Sequence, residues 1–247
     1  MRALRRSVLA HRGWRYRTRV DPDEIRWMGS VLRPGDHAVD VGAYKGGYMY
    51  WMRHAVGIAG SVSAFEPQPS VAAYLRRSVL DFGWRNVHVE EVAASSETGV
   101  RTLCLPGSDP SPGASLVGAS LPVGAKGYQV RTDTLDRLLE VRGPAGPVRL
   151  IKCDVEGHEL DVFHGAARTL EKHRPFILFE CEARHLRGHA MTDVFGHLEH
   201  LGYRGFFFWK GERCDSSAFD VGRHQVEGRR PYANNFVFIW GDAPLGQ

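Results

Sequence analysis

The chain is 247 residues long and 43% hydrophobic, enough for one α/β domain with a substantial core, and its 32 Lys and Arg against 28 Asp and Glu leave a formal charge of only +4. That balance argues against a dedicated polyanion binder, the four cysteines Cys104, Cys153, Cys181 and Cys214 lack metal-ligand spacing, and no apolar run reaches the roughly 20 residues that cross a bilayer. A cytoplasmic protein with reduced thiols and no membrane span is the expectation.

The most basic stretch comes first. In MRALRRSVLAHRGWRYRTRV the arginines alternate with apolar and aromatic residues, as in an amphipathic helix, and there is no continuous apolar core of a secretory signal. Residues 1–30 are expected to form a basic helical arm, a candidate homodimer contact, lying on a domain formed by 31–247.

Short β-rich runs follow at intervals that leave room for helices: HAVDV (37–41), SVSAFE (61–66), VHVEEVAAS (87–95), VRLIKCDV (148–155) and FILFE (176–180), then FFFW (206–209) and NNFVFIW (234–240). Between them, 48–56, 70–84, 159–173 and 191–203 place apolar residues at helical spacing. This rhythm predicts a doubly wound, mostly parallel seven-stranded sheet. Its first five strands are parallel, and its last two, joined by a polar loop, form an antiparallel hairpin.

At the end of the first strand, VDVGAYKGGY puts Asp40 before a glycine turn, and Asp40, Gly42, Ala43, Tyr44, Gly46 and Gly47 are expected to border a nucleoside cofactor. A dinucleotide site needs a bare glycine where Tyr44 stands, and Asp40 would repel a pyrophosphate. A cofactor carrying an ammonium and a sulfonium tolerates that carboxylate. The second strand ends in Glu66 and Pro67, with Glu66 poised to accept from both ribose hydroxyls. The third runs into Val92, Ala93 and Ala94, small enough for a flat adenine to lie against.

Residues 106–127, PGSDPSPGASLVGASLPVGAKG, are too rich in Gly, Pro and Ser for a regular element and are expected to be a loop, of the kind that forms lids or binding segments. Thr132 and Asp133 read as a helix start with its N-cap. The fourth and fifth strands then end in acids. KCDVEGHE supplies Asp154, Glu156, His158 and Glu159, and FILFECEARH supplies Glu180, Glu182 and His185. Glu156, at a helix start, reads as complementing the helix dipole.

Together VDVGAYKGGY, AFEP, VAAS, TDTLDRLL and IKCDVEGHELDVFHGA resemble the FkbM family of S-adenosylmethionine-dependent methyltransferases over Asp36 to Glu182, most specifically in KCDVEGHE, which is similar to the family's K-x-D-V-E-G-x-E block. Tyr44 stands where the family usually has Asn. The resemblance implies the class I methyltransferase, Rossmann-like fold and O-methylation of hydroxyls on polyketides, sugars or glycolipids. The acceptor is then expected at the acidic strand ends, as a small molecule or oligosaccharide.

A hydroxyl is a poor nucleophile near neutral pH and needs a base or a metal. His158 is the expected base, with its ring oriented by a neighbouring carboxylate. Asp154 and Glu180, on neighbouring strands, are expected either to share a magnesium ion or to act without metal, Asp154 then touching the cofactor. Three alternatives remain: an NAD-type oxidoreductase, opposed by Tyr44, a non-catalytic cofactor-binding module, opposed by the full set of acids and His158, and a nucleic-acid methyltransferase, favoured only by the basic start.

Overall fold

The computed structural model describes residues 2–107, 109–117, 121, 123–143, 146–186 and 188–241. Its elements run α1 (Arg2–Arg15), a π turn (Tyr16–Val20), α2 (Pro22–Val31), β1 (His37–Val41), α3 (Gly47–Val56), β2 (Ser61–Phe65), α4 (Pro69–Phe82) and β3 (Val87–Glu90). Next come β4 (Ala93–Ser95), β5 (Gly99–Leu105), β6 (Ser115–Val117), β7 (Lys126–Thr134), α5 (Leu135–Arg142), β8 (Val148–Cys153), α6 (Glu159–His164) and α7 (Ala167–His173). β9 (Phe176–Glu180), α8 (Met191–His200), β10 (Tyr203–Trp209), β11 (Glu212–Asp215), α9 (Val221–His224) and β12 (Asn235–Trp240) complete the described chain.

The main sheet has the order β11-β10-β12-β9-β8-β1-β2-β3. β1, β2, β3, β8 and β9 pair in parallel, while β12 runs antiparallel between β9 and β10. Seven of these strands are the expected ones, and β11 adds an eighth at the edge. Alternation along each strand feeds two cores. Val39, Val41, Ile151 and Phe179 face one side with Phe163 and Phe236, and Ala38, Leu150 and Leu178 face the other with Met49 and Met52. By the same alternation Asp40 and Lys152, which are register partners, face the second side. The strand order departs in opposite directions from β1, so a crevice opens at the carboxyl ends of β1 and β8, where open α/β sheets bind ligands.

The basic start packs on this second side. Leu9, Ile25, Trp27 and Met28 are buried in its core. A Cβ on Gly13 would lie 2.5 Å from the Tyr50 ring, so a bare glycine lets α1 press on α3, and Trp51 Nε1 donates to the Gly13 carbonyl at 2.7 Å.

Four expectations change. The third strand does not run through to VAAS: the chain leaves the main sheet after Glu90, and β4 joins a second sheet of order β4-β7-β5-β6. Within the expected 106–127 loop, residues 115–117 join that sheet as β6, pairing β5, and 126–127 open β7, while the other described residues of the stretch are irregular; residues 108, 118–120 and 122 lie outside the described residues. Thr132 and Asp133 are strand residues of β7, and the helix cap is Thr134, whose hydroxyl accepts from Arg137 N at 3.3 Å. The expected helix over 159–173 breaks into α6 and α7 at Gly165, where a Cβ would stand 2.0 Å from the Ser95 carbonyl.

Candidate functional site

A cavity of about 210 Å³ opens at the carboxyl ends of β1, β2, β8 and β9. Every residue expected at the cofactor and catalytic sites borders it except Gly46. A Cβ on Gly46 would meet Leu75, Leu9 and Met49 within 3.1 Å and its φ is +80°, so that glycine serves the packing of α1 and α4. Gly42 also answers to the protein itself: a Cβ there would fall 1.8 Å from the Asp154 carbonyl, and this close approach sets the ends of β1 and β8 side by side.

The turn after β1 is held by Glu66. Its Oε2 accepts from Tyr44 N at 2.8 Å and its Oε1 from Gln68 N at 2.8 Å. Tyr44 takes a left-handed φ of +42°, uncommon for a side chain of its size and well suited to asparagine. Each Glu66 oxygen keeps a free lone pair, so the carboxylate can still accept from a ligand. Burial pushes the Glu66 carboxyl up to about 7, against the pull of those backbone amides.

Asp40 is 2% exposed, and its Oδ2 has no hydrogen-bond partner. Burial raises its carboxyl to about 7, although the nearby Lys152 charge works the other way. A buried, unpartnered acceptor is costly, about 1–3 kcal/mol, unless a ligand supplies the donor. An ammonium group is such a donor. The residues therefore fit the amino-acid end of S-adenosylmethionine, with Glu66 one strand away for ribose hydroxyls. Beyond Glu66, Val92, Ala93 and Ala94 border the cavity together with Leu103, Ala114 and Leu116, an apolar lining. Gln68 pins this lining through Ser111, accepting from its N at 2.9 Å and donating to its carbonyl at 3.0 Å.

At the other end the acids gather. Ligand oxygens of Asp154, Glu156 and Glu180 all lie within 4.8 Å of one another. Burial and the Asp154 charge hold the Glu180 carboxyl well above the carboxylate range. Lys152, 1% exposed, brings its Nζ to 3.5 Å from Asp154 Oδ2. Burial alone would lower its pKa, yet the surrounding charges of Asp154, Glu180, Asp21 and Asp40 raise it, so it stays an ammonium.

Glu156 occupies a left-handed turn, φ +57°, rather than a helix start; α6 begins three residues later. Gly157 allows the His185 backbone to close on that turn, and His185 Nδ1 meets Glu156 Oε2 at 2.6 Å. Glu159 is buried beneath the turn and accepts from the amides of Val155 and Gly157.

His158 borders the cavity, but both ring nitrogens are engaged. Nε2 pairs with Ser95 Oγ at 2.9 Å, and Nδ1 stands 3.3 Å from Asp161 Oδ2. Burial lowers its pKa. The ring clasps β4 to α6, so the geometry does not favour the expected base. Lys152, Tyr16 and Tyr48 were not singled out from sequence. The signal for Lys152 is a cation on the same strand phase as the apolar Val148 and Leu150, opposite to the exposed Arg149.

Comparisons with known proteins follow this geometry. The Methyltransferase FkbM domain matches residues 40–204. An FkbM methyltransferase from Methylobacillus flagellatus KT superposes with a TM-score of 0.51 at 16% identity, covering 87% of this chain and 50% of that one, so this chain spans half its length. A candidate rRNA methylase from Clostridium thermocellum gives 0.51 at 9% identity, covering 90% and 96%. A candidate O-methyltransferase from Klebsiella pneumoniae gives 0.50 at 11%, covering 97% and 90%. A search of curated proteins finds no match. At these identities the structural likeness speaks for the fold.

Proposed function

The chain belongs to the FkbM methyltransferase family, and on that premise we propose that it transfers the methyl group of S-adenosylmethionine to a hydroxyl of a small-molecule acceptor, with a saccharide as the leading class. The observation that carries this reading is the bare, buried Asp40 Oδ2 beside Glu66 at the glycine turn. It suits a cationic nucleoside cofactor and repels a dinucleotide's pyrophosphate.

Asp40 holds the cofactor's ammonium, Glu66 accepts from the ribose hydroxyls, and the apolar lining at Ala93 and Leu116 takes the adenine. The bound cofactor supplies an electrophilic methyl on a sulfonium. The acceptor hydroxyl lies against Asp154 and Glu180, and this pair in its ionised form takes the proton, burial and the Asp154 charge raising the proton affinity of Glu180. Lys152 sets its ammonium beside Asp154, and His185 orients Glu156.

A second reading adds magnesium on Asp154, Glu156 and Glu180, favoured by the convergence of three carboxylates, the donor set of a hard divalent cation. Such an ion would acidify the acceptor hydroxyl. Lys152 already offsets part of this charge, so the metal-free form is the first choice.

Incubation with methyl-labelled S-adenosylmethionine and a panel of hydroxylated saccharides tests the proposal. An alkali-stable labelled ether, formed in chelator, is expected. Activity lost in chelator and restored by magnesium selects the second reading, and label carried only on nitrogen or on RNA contradicts both.

A further inference from the structure

A second cavity, of about 620 Å³, shares a wall with the first. Tyr16 faces the first, while Arg15 and Arg19 face the second. Tyr48 faces the first and donates through its hydroxyl, at 2.9 Å, to Asp21, which faces the second. Glu180 lines the first and Glu182 the second, two residues along the same chain.

Five arginines line this second cavity: Arg15 and Arg19 from the basic start, Arg184 beyond β9, and Arg229 and Arg230 before β12. Arg184 is paired with Glu182 and stands 3.6 Å from Glu227. Among the described residues the other four form no ion pair and no side-chain hydrogen bond.

The acids of the cavity are committed elsewhere or uncharged. Asp21 accepts from Tyr48 and, at 3.4 Å, from Asn235; Glu182 accepts from Tyr232 at 2.7 Å. Burial pushes the Glu24 carboxyl up to about 8, so it is mostly neutral at pH 7. Arg230 feels the charge of Asp21, while Arg15, Arg19 and Arg229 line the same cavity from two distant chain segments with no acidic partner of their own among the described residues, an excess of positive charge that an anion would offset. Guanidinium is also the side-chain group whose fork matches phosphate or carboxylate oxygens.

We propose that this arginine-lined cavity binds an anionic group, a phosphate or carboxylate, carried by the methyl acceptor, whose hydroxyl then reaches Asp154 and Glu180 past the shared wall. The inference rests on the methyltransferase reading above and narrows its acceptor to anionic small molecules. Nucleic acid is served by cations strung along a strip, whereas these line one surface cavity.

The test is calorimetry on the full chain with S-adenosylhomocysteine bound, titrating inorganic phosphate, glucose 6-phosphate, glucuronate and uncharged glucose. Glucose 6-phosphate or glucuronate should bind and glucose should not; which anion is preferred identifies the group. Arg19→Gln and Arg229→Gln, both at exposed positions, should each weaken that binding about tenfold and leave S-adenosylhomocysteine affinity unchanged. The proposal is overturned if wild-type protein that binds S-adenosylhomocysteine takes none of the anions, or if neither variant moves their affinity. It is also overturned if single-stranded RNA binds more tightly than any of them and loses affinity in the same variants. Variant-sensitive anion binding in a protein that takes no S-adenosylhomocysteine would keep the anion site and overturn its link to a methyl acceptor.

Discussion

At the β1–β2 end of the main cavity, Glu66 gives both oxygens to backbone amides and Asp40 alone keeps a bare one. At the β8–β9 end, three carboxylates lie close together, with Lys152 beside Asp154 and His185 beside Glu156. The first end is built by the chain's own hydrogen bonds and leaves one demand for a cation. The second is held together by charge and leaves protons or a metal to settle its surplus. One end therefore suits recognition of a cofactor, and the other suits moving a proton.

The largest expected effect lies at the first end. Glu66→Ala removes the acceptor we assign to the ribose hydroxyls and the partner of both amides, and S-adenosylhomocysteine affinity should fall on the order of 100-fold by calorimetry. Glu66→Gln, which keeps one accepting oxygen, should lose less; equal affinity in all three proteins would remove Glu66 from the cofactor site. Next, Glu180→Gln should lower turnover about 10²-fold while leaving S-adenosylhomocysteine affinity intact. A matching loss of cofactor affinity would erase the division between the two ends.

His158→Gln sharpens it further. Because the ring clasps Ser95 and Asp161, the variant should lose about 1–2 kcal/mol of stability in denaturant and keep turnover within a few-fold. A hundredfold fall in turnover from a stable variant would return the base role to His158.

The smallest effect is in pH. Asp40 has a folded value of about 7 against an ordinary 3.8, so the fold favours its neutral form. Its stabilising contribution is complete below pH 3.8 and is lost as pH rises through 7. Melting temperatures of Asp40→Asn relative to wild type should accordingly climb between pH 4 and pH 7, and S-adenosylhomocysteine should narrow that gap. A flat difference would mean that Asp40 is not held in the strained state described.

The recognition end was the more legible of the two. β1, β2 and their turn are contiguous, so Asp40, Gly42 and Glu66 could be placed from local pattern and strand order. Gly46 packs beneath Leu75 instead of bordering the cavity, and a glycine near a ligand and a glycine beneath a packed leucine look alike in sequence. The acidic end depended on contacts remote in the chain. Glu156 meets His185 only because Gly157 admits that backbone, and His158 is turned to Ser95 on β4, which looks continuous with the third strand in sequence but joins a second sheet. The arginine cavity was illegible for the same reason, since its cations come from opposite ends of the chain.

The most direct test of the central claim is a pair of calorimetric titrations of the wild-type protein, one with S-adenosylhomocysteine and one with NADH. Saturable binding of S-adenosylhomocysteine with no heat from NADH is the predicted result; binding of NADH without S-adenosylhomocysteine would contradict the assignment of Asp40 and Glu66 and move the site to redox chemistry.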